Sequence, residues 1–356
     1  MLAFASLRVM ALNVVFCLKT IVNTTSILIS TKNRILDLKE CIDSILIQTV
    51  KPDEIILVDA SYTFESFEMS EVMLANAGIK LTYYRQDVVG GKIKKTATWN
   101  KAVMASVGNI IIFLDDDVVL EKDYIYQILK TYDENVGKNI VGVMGRFKKL
   151  KDEEDSQKGM PFLYSLNIAL YKYFLLPHEE GNGVMQPSGF PAYPTSRNDV
   201  ISVEIMPTGN MSIKKDVFRE FTFDEWFHGY SYQEDDDFSY RVSKKYKFLY
   251  TPFAELVHKS STASRDNIET VEAMKVVNHY YFFRKNMPKL LKNWLAFVWS
   301  EFGLLFLRCF SFSSPGSLSL SLIGLTAFRN FPAIKGRLCG YNKILRSILT
   351  GKDIEF

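Results

Sequence analysis

Three consecutive carboxylates, Asp115, Asp116 and Asp117, follow a run of apolar residues, Ile110–Leu114. Adjacent negative charges repel one another unless a cation or another positive group lies between them. Carboxylate oxygens are hard ligands that suit Mg²⁺ or Mn²⁺, and such an ion can carry phosphate groups. The segment therefore predicts a divalent cation site, with a solvated acidic turn as the alternative.

The segment that positions these acids is short, β-branched and without polar alternation, which is typical of a strand buried on both faces of a parallel sheet. Two similar runs, Ser26–Thr31 and Glu54–Asp59, come earlier in the chain. Strand–helix alternation of this kind predicts an α/β fold with a doubly wound, mostly parallel sheet and right-handed crossovers. Ligands of such sheets bind beyond the carboxyl ends of the strands, which is where the three acids lie.

The remaining elements follow from periodicity and from breaks at Gly and Pro. Further strands are predicted at Lys80–Tyr84, Val203–Ile205, Asn210–Ile213, Lys247–Tyr250 and Glu255–His258. Helices are predicted from Ile35 to Leu46 and at about Phe64–Ala77, Thr96–Val107, Phe162–Leu176 and Gln233–Lys245. Residues 177–194 form a loop rich in Gly and Pro, and a loop of this length in a compact domain is typically functional.

The bulk composition allows a sizeable core and narrows the cellular setting. The chain has 356 residues, of which 47% are hydrophobic, and a net charge of +3. That charge alone gives no reason to expect a nucleic-acid partner. The four cysteines form no CxxC and no close pair, which fits a reducing compartment and argues against a zinc site or a disulfide framework. We therefore expect a cytoplasmic protein that binds no nucleic acid.

The two ends of the chain differ from its body. Residues 1–25 are predicted to be an amphipathic or frayed leader, because the apolar stretch Val9–Leu18 is too short to span a bilayer. From Arg284 onward there are eleven basic and three acidic residues, a net charge of +8, so the rest of the chain carries −5. Trp294–Phe312 is mostly apolar but contains two charged residues, which favours an interfacial helix or a helix packed on the body over a spanning one. A peripheral position on an anionic membrane surface, at its inner face, follows from this basic and apolar tail.

One ordered set of motifs covers about Ser26–Asn286. The motifs are SILISTKNR, EIILVDAS, NKAVMASVGNIIIFLDDDVVL, PTGNMSIKKDVF, FDEWFHGY, EDDDFSYR, YTPFAELVHKSS and NHYYFFRKN. Together they resemble an inverting family 2 glycosyltransferase with the GT-A fold. The resemblance implies a catalytic domain at 26–286, with a nucleotide-binding half at about 26–146 and an acceptor half at about 200–286. Residues 287–356 would then be a helical, membrane-associating tail.

The resemblance also implies a reaction. A sugar would pass from a nucleotide-diphospho-sugar donor to a hydroxyl of a glycan or lipid-linked acceptor, in a single inverting displacement that depends on Mg²⁺ or Mn²⁺. The basic tail favours an acceptor close to a membrane, as in the assembly of cell-surface polysaccharides or glycolipids.

Donor-binding residues follow from the family's motifs. Thr31 and Asp59 end the first two strands, where such enzymes hold the nucleotide base and ribose, and Asp59 could accept the imide N–H of a uracil or thymine. Thr31 could instead cap the next helix. Arg34 and one of Lys92, Lys94 and Lys95 are expected to contact the diphosphate, since Gly90-Gly91 leads to a helix N-terminus there.

Metal and catalytic residues are implied in the same way. Asp115 and Asp117 match the family's DxD motif, so Asp117 would bind the metal and Asp115 the ribose or the metal, with Asp116 as the variable middle residue. His258 would add a metal or phosphate contact, or it could be structural. Asp235 matches the catalytic base, which would take the proton of the acceptor hydroxyl.

Other acids and other functions complete the sequence-based expectations. Asp237 and Arg241 are four residues apart on the predicted helix and are expected to pair. A sugar-phosphate nucleotidyltransferase is an alternative, but its Gly-rich basic loop would stand where this chain has TKNRILDL. A processive synthase would need several spanning helices and a QxxRW motif, neither of which the sequence shows. A catalytically inactive binding protein with the same fold is the third alternative.

Overall fold

The computed structural model describes residues 23–86, 88–89, 92–93, 95–148, 161–227, 231–261, 267–309 and 323–354. Its strands are β1 (Thr25–Thr31), β2 (Glu54–Asp59), β3 (Lys80–Arg85), β4 (Val88–Val89), β5 (Lys92–Ile93), β6 (Ile110–Asp115), β7 (Val118–Leu120), β8 (Ile140–Lys148), β9 (Val184–Met185), β10 (Pro191–Ala192), β11 (Ile201–Val203), β12 (Met211–Lys214) and β13 (Lys247–His258). Its α-helices are α1 (Ile35–Leu46), α2 (Glu65–Ala77), α3 (Lys95–Ala105), α4 (Tyr124–Asp133), α5 (Pro161–Tyr173), α6 (Glu234–Ser243), α7 (Ile268–Asn286), α8 (Leu291–Cys309) and α9 (Ile323–Thr350).

One large mixed sheet organises the described part of the chain. Its strands follow the order β11-β13-β8-β12-β6-β1-β2-β3, and β7 pairs with β13 as the ninth strand. Strands β3, β2, β1 and β6 are mutually parallel, and β8 and β13 run in the same direction as they do. Strands β12, β11 and β7 run the other way. The expected α/β fold with a mostly parallel sheet flanked by helices is confirmed.

The strand that carries the acids is buried on both faces, as its composition predicts. On one face Ile112 and Leu114 pack in a cluster with helix α1, and on the other Phe113 packs against Trp99 of α3. Strand β6 lies between β1 and β12, and its register places Asp115 opposite Ser30. Burial of β-branched residues on both faces fixes this register, because a shift by one residue would exchange the two faces.

Several of the predicted strands have different bounds. The strand expected at Val203–Ile205 is Ile201–Val203, which pairs with β13 at the edge of the sheet. The two strands expected at Lys247–Tyr250 and Glu255–His258 are one strand, β13, whose register along β8 shifts between Tyr250 and Glu255. Pro252 lies in that interval and has no N–H for the ladder, so its presence in the sequence indicated a break.

The strand expected to begin at Asn210 begins one residue later. Asn210 instead ends a 3₁₀ turn, Thr208–Asn210. Its side chain is fully buried, where it accepts the Gly145 N–H at 2.9 Å and donates to the Gly145 oxygen at 2.8 Å. Tyr124 also donates to Asn210 Oδ1, at 2.7 Å. These bonds hold the turn rigidly against the sheet, just beyond the carboxyl end of β6.

The C-terminal helices pack against α7. Gly336 and Gly340 of α9 allow close contact, since a Cβ at Gly336 would lie 2.3 Å from the Glu269 oxygen of α7. On α8, Phe297 and Glu301 face inward, whereas the residues of its other face are exposed. Of the two expectations for Trp294–Phe312, packing thus holds for one face of the helix. None of the helices in the described residues is long and apolar enough to cross a membrane.

At the other end, residues 1–22 of the expected leader lie outside the described residues.

Candidate active site

Asp116 ties the ends of two strands and a helix together. Its Oδ2 accepts the Thr31 hydroxyl at 2.8 Å, and its Oδ1 lies 3.0 Å from Nη1 of Arg34. Burial raises the pKa of Asp116 to about 6, and Arg34 and Thr31 oppose that rise. The middle acid of the three therefore anchors the two residues that were expected to contact the donor.

Asp115, Asp117 and His258 converge at the carboxyl end of β6. One ligand atom from each lies within 4.8 Å of the other two. His258 Nε2 lies 3.1 Å from Asp117 Oδ1, and the Ser261 N–H donates to Asp117 Oδ2 at 2.8 Å. Burial alone would raise the pKa of Asp117, but the contacts with His258, Ser261 and Arg34 outweigh it and lower that pKa. Asp117 is thus held as a carboxylate, the form that binds a cation.

The 3₁₀ turn lies between the first carboxylate cluster and a second one. A Cβ on Gly209 would lie 2.5 Å from Asp115 Oδ2, so only glycine leaves room for this carboxylate. The N–H of the preceding residue, Thr208, donates to Asp235 Oδ2 at 3.2 Å. Neighbouring residues of one rigid turn thus contact both Asp115 and Asp235.

The second cluster consists of Glu234, Asp235 and Asp236 in the first turn of α6. Burial raises the pKa of Glu234 to about 8, although Lys95 lies 3.2 Å from its Oε1 and opposes the rise. Burial also raises the pKa of Asp235, against the N–H groups of Asp236 and Thr208, which lower it. Burial and then the charge of Asp235 raise the pKa of Asp236 well above its usual range. Of these two aspartates, Asp235 is the one better placed to carry the negative charge.

Asp237 turns away from the cleft, as its spacing predicts. It is fully buried and accepts Arg241 Nε at 2.9 Å and Asn286 Nδ2 at 2.8 Å. Lys285 Nζ lies 2.7 Å from its Oδ1. Asp237 therefore joins α6 to α7, and the expected pair with Arg241 is confirmed.

Both carboxylate clusters line one cleft of about 500 Å³. Its walls include Thr31, Arg34, Ala60, Gln86, Lys95, Asp115, Asp117, Tyr193, Thr208, Gly209, Gln233, Asp235 and His258. A cavity of this size with a few convergent polar groups is typical of a binding site for a small molecule.

At the end of the cleft near β2 and β3, Ala60 and Gln86 line the wall. Asp59 lies beneath them, fully buried, and accepts the Ser61 N–H at 2.7 Å and the Tyr83 hydroxyl at 3.1 Å. Gln86 is 7% exposed, and its Nε2 has no hydrogen-bond partner in the described residues. The amide nitrogen of Gln86 is therefore available to a ligand at this end.

Of the lysine cluster, Lys95 is brought to the cleft. It begins α3, with its Nζ 4.3 Å from the ring centre of Trp99. The side chain of Lys92, all of Lys94 and Gly90-Gly91 lie outside the described residues.

Comparison with known proteins agrees with this geometry. Residues 26–197 match the family model described as glycosyl transferase family 2. Residues 26–197 of this chain form a family 2 glycosyltransferase domain. A protein of Rickettsia conorii named "Uncharacterized glycosyltransferase RC0461" is 34% identical over 119 residues, and one of Rickettsia felis named "Uncharacterized glycosyltransferase" is 33% identical over 110 residues. These matches span 33% and 31% of this chain but only 19% and 17% of the two relatives.

Solved structures of low sequence identity align with most of this chain. The mannosyltransferase PcManGT from Pyrobaculum calidifontis, solved in complex with GDP-Man and Mn²⁺, has a TM-score of 0.51 at 13% identity and covers 91% of this chain and 87% of its own. S. aureus TarS, residues 1–349, aligns with 94% of this chain and 93% of its own at 13% identity, with a TM-score of 0.43. The fold of the described residues is that of the GT-A glycosyltransferases.

Several cleft residues of the glycosyltransferase domain had no signal in the sequence. Gly209, Tyr193, Gln233 and Gln86 reach the cleft through loops and strand ends, where no periodicity predicts a direction. Only the PTGN motif hinted at a polar turn before β12. The turn's rigidity and its contacts with two carboxylates became visible only in three dimensions.

A pH-dependent stability difference is expected between the wild type and Glu234→Gln. The folded-state pKa of Glu234 is about 8, against an ordinary value of 4.5, so the folded state favours the neutral acid. As pH rises from about 4.5 to 8, the unfolded chain loses this proton first, and the wild type loses stability that the glutamine variant keeps. We expect the gap in free energy of unfolding to widen by about 4 kcal/mol between pH 5 and pH 9, levelling off above the folded-state pKa. Urea unfolding of both proteins between pH 5 and pH 9 measures it, and a gap that does not change with pH would contradict the prediction.

Proposed function

We propose that this protein transfers a sugar from a nucleotide-diphospho-sugar to a hydroxyl group of a glycan or lipid-linked acceptor, with inversion at the anomeric carbon. The observation that carries the proposal is the turn Thr208–Asn210, whose adjacent residues Gly209 and Thr208 contact Asp115 and Asp235 respectively. One carboxylate would belong to the donor site and the other to the acceptor site. The family 2 domain supports the same assignment.

The donor would lie along the carboxyl ends of β1, β2 and β6. Gln86 offers a buried amide nitrogen to the base, while Asp59 and Thr31 would shape the base and ribose end from below. Lys95, at the N-terminus of α3, and Arg34 supply positive charge on the path of the diphosphate, as does Lys92 in our proposal.

A divalent cation fits the donor set of Asp115, Asp117 and His258. Two carboxylates suit Mg²⁺ or Mn²⁺, one imidazole is compatible with Mn²⁺, and three protein ligands leave room for diphosphate oxygens. When bound, such an ion would neutralise the charge of the departing nucleotide as a Lewis acid. The bound GDP-Man and Mn²⁺ in PcManGT favour this assignment. Asp117 needs no deprotonation for this role, because its pKa is already lowered.

Asp235 would act as the general base on the acceptor side. Its Oδ2 is held by the Thr208 N–H and its Oδ1 by the N–H of Asp236, so the carboxylate has a fixed direction. Protonation of Asp236, which accepts the Tyr193 hydroxyl at 3.2 Å, would leave Asp235 as the ionised member of the pair. The acceptor oxygen could then attack from the face opposite the nucleotide and give up its proton to Asp235.

The two other functions weighed from the sequence fit the site less well. A nucleotidyltransferase forms its new bond at a phosphorus atom with a sugar phosphate as the nucleophile, so it needs no general base for an acceptor hydroxyl. A catalytically inactive binding protein would not require the buried, costly arrangement of Glu234, Asp235 and Asp236. A donor-binding site paired with a separate base fits glycosyl transfer.

A membrane surface is the proposed setting of the acceptor. Along the exposed face of α8 lie Leu291 at 75%, Leu295 at 61%, Val298 at 61% and Phe302 at 51% exposure. These residues follow one another at helical spacing, and exposed Lys289 and Lys292 flank the start of that stripe. An apolar stripe next to lysines matches the interface of an anionic bilayer. We propose peripheral binding at the inner face of a cytoplasmic membrane, within cell-surface polysaccharide or glycolipid assembly.

Asp235→Asn should lower turnover of the nucleotide-sugar donor by roughly two to four decades, because the amide cannot take a proton. Donor affinity should change little, since Asp235 is not one of the residues proposed to bind the metal ion or the nucleotide base. Asp237→Asn serves as the control at a neighbouring position. This variant should be less stable than the wild type, because its bonds to Arg241 and Asn286 are weakened, but it retains the proposed general base, Asp235. Steady-state kinetics and donor calorimetry on both variants test the assignment. An active Asp235→Asn enzyme beside an inactive, folded Asp237→Asn enzyme would mean that the base is wrongly assigned.

Asp117→Ala should abolish metal-dependent nucleotide binding while the protein stays folded. Loss of a direct ligand is expected to weaken Mn²⁺-dependent binding more than roughly a hundred-fold, above the range for an outer-sphere partner. Asp43→Ala, which removes an exposed carboxylate paired with Lys39, is the matched control and should bind normally. Calorimetry with UDP, dTDP and GDP, with Mn²⁺ or EDTA, measures the effect. Equal nucleotide affinity in wild type and Asp117→Ala would exclude the proposed metal site.

Val298→Glu combined with Phe302→Glu should release the protein from anionic vesicles, because two carboxylates would enter the apolar face. The wild type should bind phosphatidylglycerol vesicles and lose binding as salt rises, since salt screens exposed charges. Val72→Glu, at a 62% exposed apolar residue of α2, is the control and should bind as the wild type does. Co-sedimentation gives the bound fraction. Binding to neutral phosphatidylcholine vesicles that equals binding to anionic ones at every salt concentration would refute the electrostatic part.

A further inference from the structure

One wall of the cleft is built by the segment Gln186–Tyr193, which we call the wall segment. Pro191 and Tyr193 line the cleft, and the Tyr193 hydroxyl contacts Asp236 beside the proposed base. The segment is pinned at Gly189, whose oxygen accepts Gln233 Nε2 at 3.2 Å. Its geometry therefore bears directly on the acceptor side of the site.

His279 of α7 holds the wall segment from behind. Its side chain is 1% exposed, and its Nε2 lies 3.0 Å from the Ser188 oxygen. The Phe190 ring stacks on the imidazole with 3.7 Å between ring centres. Gly189 has a φ of +84°, and a Cβ there would lie 3.3 Å from His279 Nε2. Glycine thus gives both the left-handed backbone and the close approach to the imidazole.

The other nitrogen of His279 connects to the C-terminal helices. His279 Nδ1 lies 2.6 Å from Glu301 Oε1 on α8. The second oxygen of Glu301 accepts Arg337 and, at 2.6 Å, the Tyr341 hydroxyl, both from α9. Burial would raise the pKa of Glu301, but Arg337 and His279 outweigh it and lower the pKa to about 2. The carboxylate that holds His279 is therefore ionised throughout the neutral range.

A further acid closes this charge cluster on the side away from the wall segment. Glu272 Oε2 lies 3.2 Å from Arg337 Nη1, and its Oε1 lies 3.1 Å from Lys275 and 2.9 Å from Arg308. A buried cluster that contains several charges stabilises one arrangement of its helices, because removing a single partner leaves an uncompensated charge. Helices α7, α8 and α9 are thereby fixed relative to one another, and His279 is the member of the cluster that contacts the wall segment.

We propose that His279 is a positioning residue through which helices α8 and α9 set the acceptor-side wall of the cleft. Loss of its contacts with Ser188 and Glu301 leaves the Ser188 carbonyl buried without its partner and frees the segment that presents Tyr193 to Asp236. The catalytic consequence rests on the proposed glycosyl transfer, whereas the effect on the wall segment does not. A histidine that merely filled the core would stabilise the domain as a whole and would not act on this segment in particular.

Amide hydrogen exchange on the full chain tests the proposal without any ligand. In the wall segment, the Gln186 N–H donates to the Phe190 oxygen and the Gly189 N–H to the Gln186 oxygen, each at 2.9 Å, and the Tyr193 N–H donates to the His178 oxygen at 2.8 Å. In His279→Phe, which keeps a ring against Phe190, exchange of these amides should accelerate at least about ten-fold. Exchange in strand β6 should stay as in the wild type. His279→Gln, whose amide can still donate to one partner, should give a smaller acceleration.

Lys275→Met is the matched control from the same helix and cluster, because the contacts of Lys275 among the described residues are its ion pair with Glu272 and the Tyr232 ring, not His279 or the wall segment. It should leave exchange of the wall segment unchanged. Three results would overturn the proposal: unchanged wall-segment exchange in folded His279→Phe, equal acceleration in Lys275→Met, or global unfolding of both His279 variants.

A kinetic measurement adds the catalytic part. Release of nucleoside diphosphate from UDP-, dTDP- or GDP-sugars, with Mn²⁺ and with water as acceptor, should show kcat lowered about ten-fold in His279→Phe at an unchanged donor KM. An equal loss in Lys275→Met, or a changed donor KM with unchanged kcat, would overturn the catalytic part. Failure of the wild type to bind any of these nucleotides would refute the proposed function, and the exchange experiment would still decide the role of His279.

Discussion

Repulsion between carboxylates at the end of strand β6 is the constraint on which the site depends. Of the seven acids that line the cleft, six form the two clusters, namely Asp115, Asp116, Asp117, Glu234, Asp235 and Asp236. The fold meets their repulsion in three ways. Arg34, Lys95 and His258 bring positive or hydrogen-bonding groups from three elements. Backbone N–H groups of Thr208 and Ser261 cap individual carboxylates. Burial raises the pKa of Glu234 and Asp236, which favours their neutral forms.

These solutions separate the acids by role. Asp117 is held ionised at the wall of the cleft, which suits cation binding, while the Asp116 carboxylate is bound to Thr31 and Arg34. Asp235 is the better placed of its pair to carry charge, which suits a base. The same residue type thus takes different roles because hydrogen bonds and burial differ within a few ångströms. The turn Thr208–Asn210 enforces the separation, since it contacts both clusters and is itself anchored by the buried side chain of Asn210.

The sequence predicted the parts of the structure that depend on local pattern. The apolar runs that form β1, β2 and β6 have no polar alternation, so the sequence predicted that these strands are buried and that their carboxyl ends share one edge of the sheet. The position of Asp115 and Asp117 at that edge followed from this prediction. The strand expected at Asn210–Ile213 was found as β12, but its antiparallel position between β6 and β8 was not predicted, because pairing partners distant in the chain leave no periodicity. Pro252 suggested a break where β13 continues through an irregular register. Tyr193 and Gly209 lie in loops and a turn whose directions are set by tertiary contacts, so no pattern could identify them.

The basic residues from Arg284 onward show why the net charge of the tail alone did not identify which of them could meet an anionic surface. Counted along the chain, the excess of basic residues after Arg284 indicates an anionic surface, yet Arg337 is 3% exposed and is used internally by Glu301 and Glu272. Lys289 and Lys292, in contrast, are exposed beside the apolar stripe of α8. The tail therefore contains two sets of positively charged residues, one buried and paired with acids and the other exposed to solvent. Buried charges, paired and closed to solvent, fix the helices and through His279 the wall of the cleft. Exposed charges remain available to a surface, and only they can respond to salt. If both populations act as proposed, the same three helices would connect the membrane surface to the acceptor side of the active site, with α8 as the element common to both.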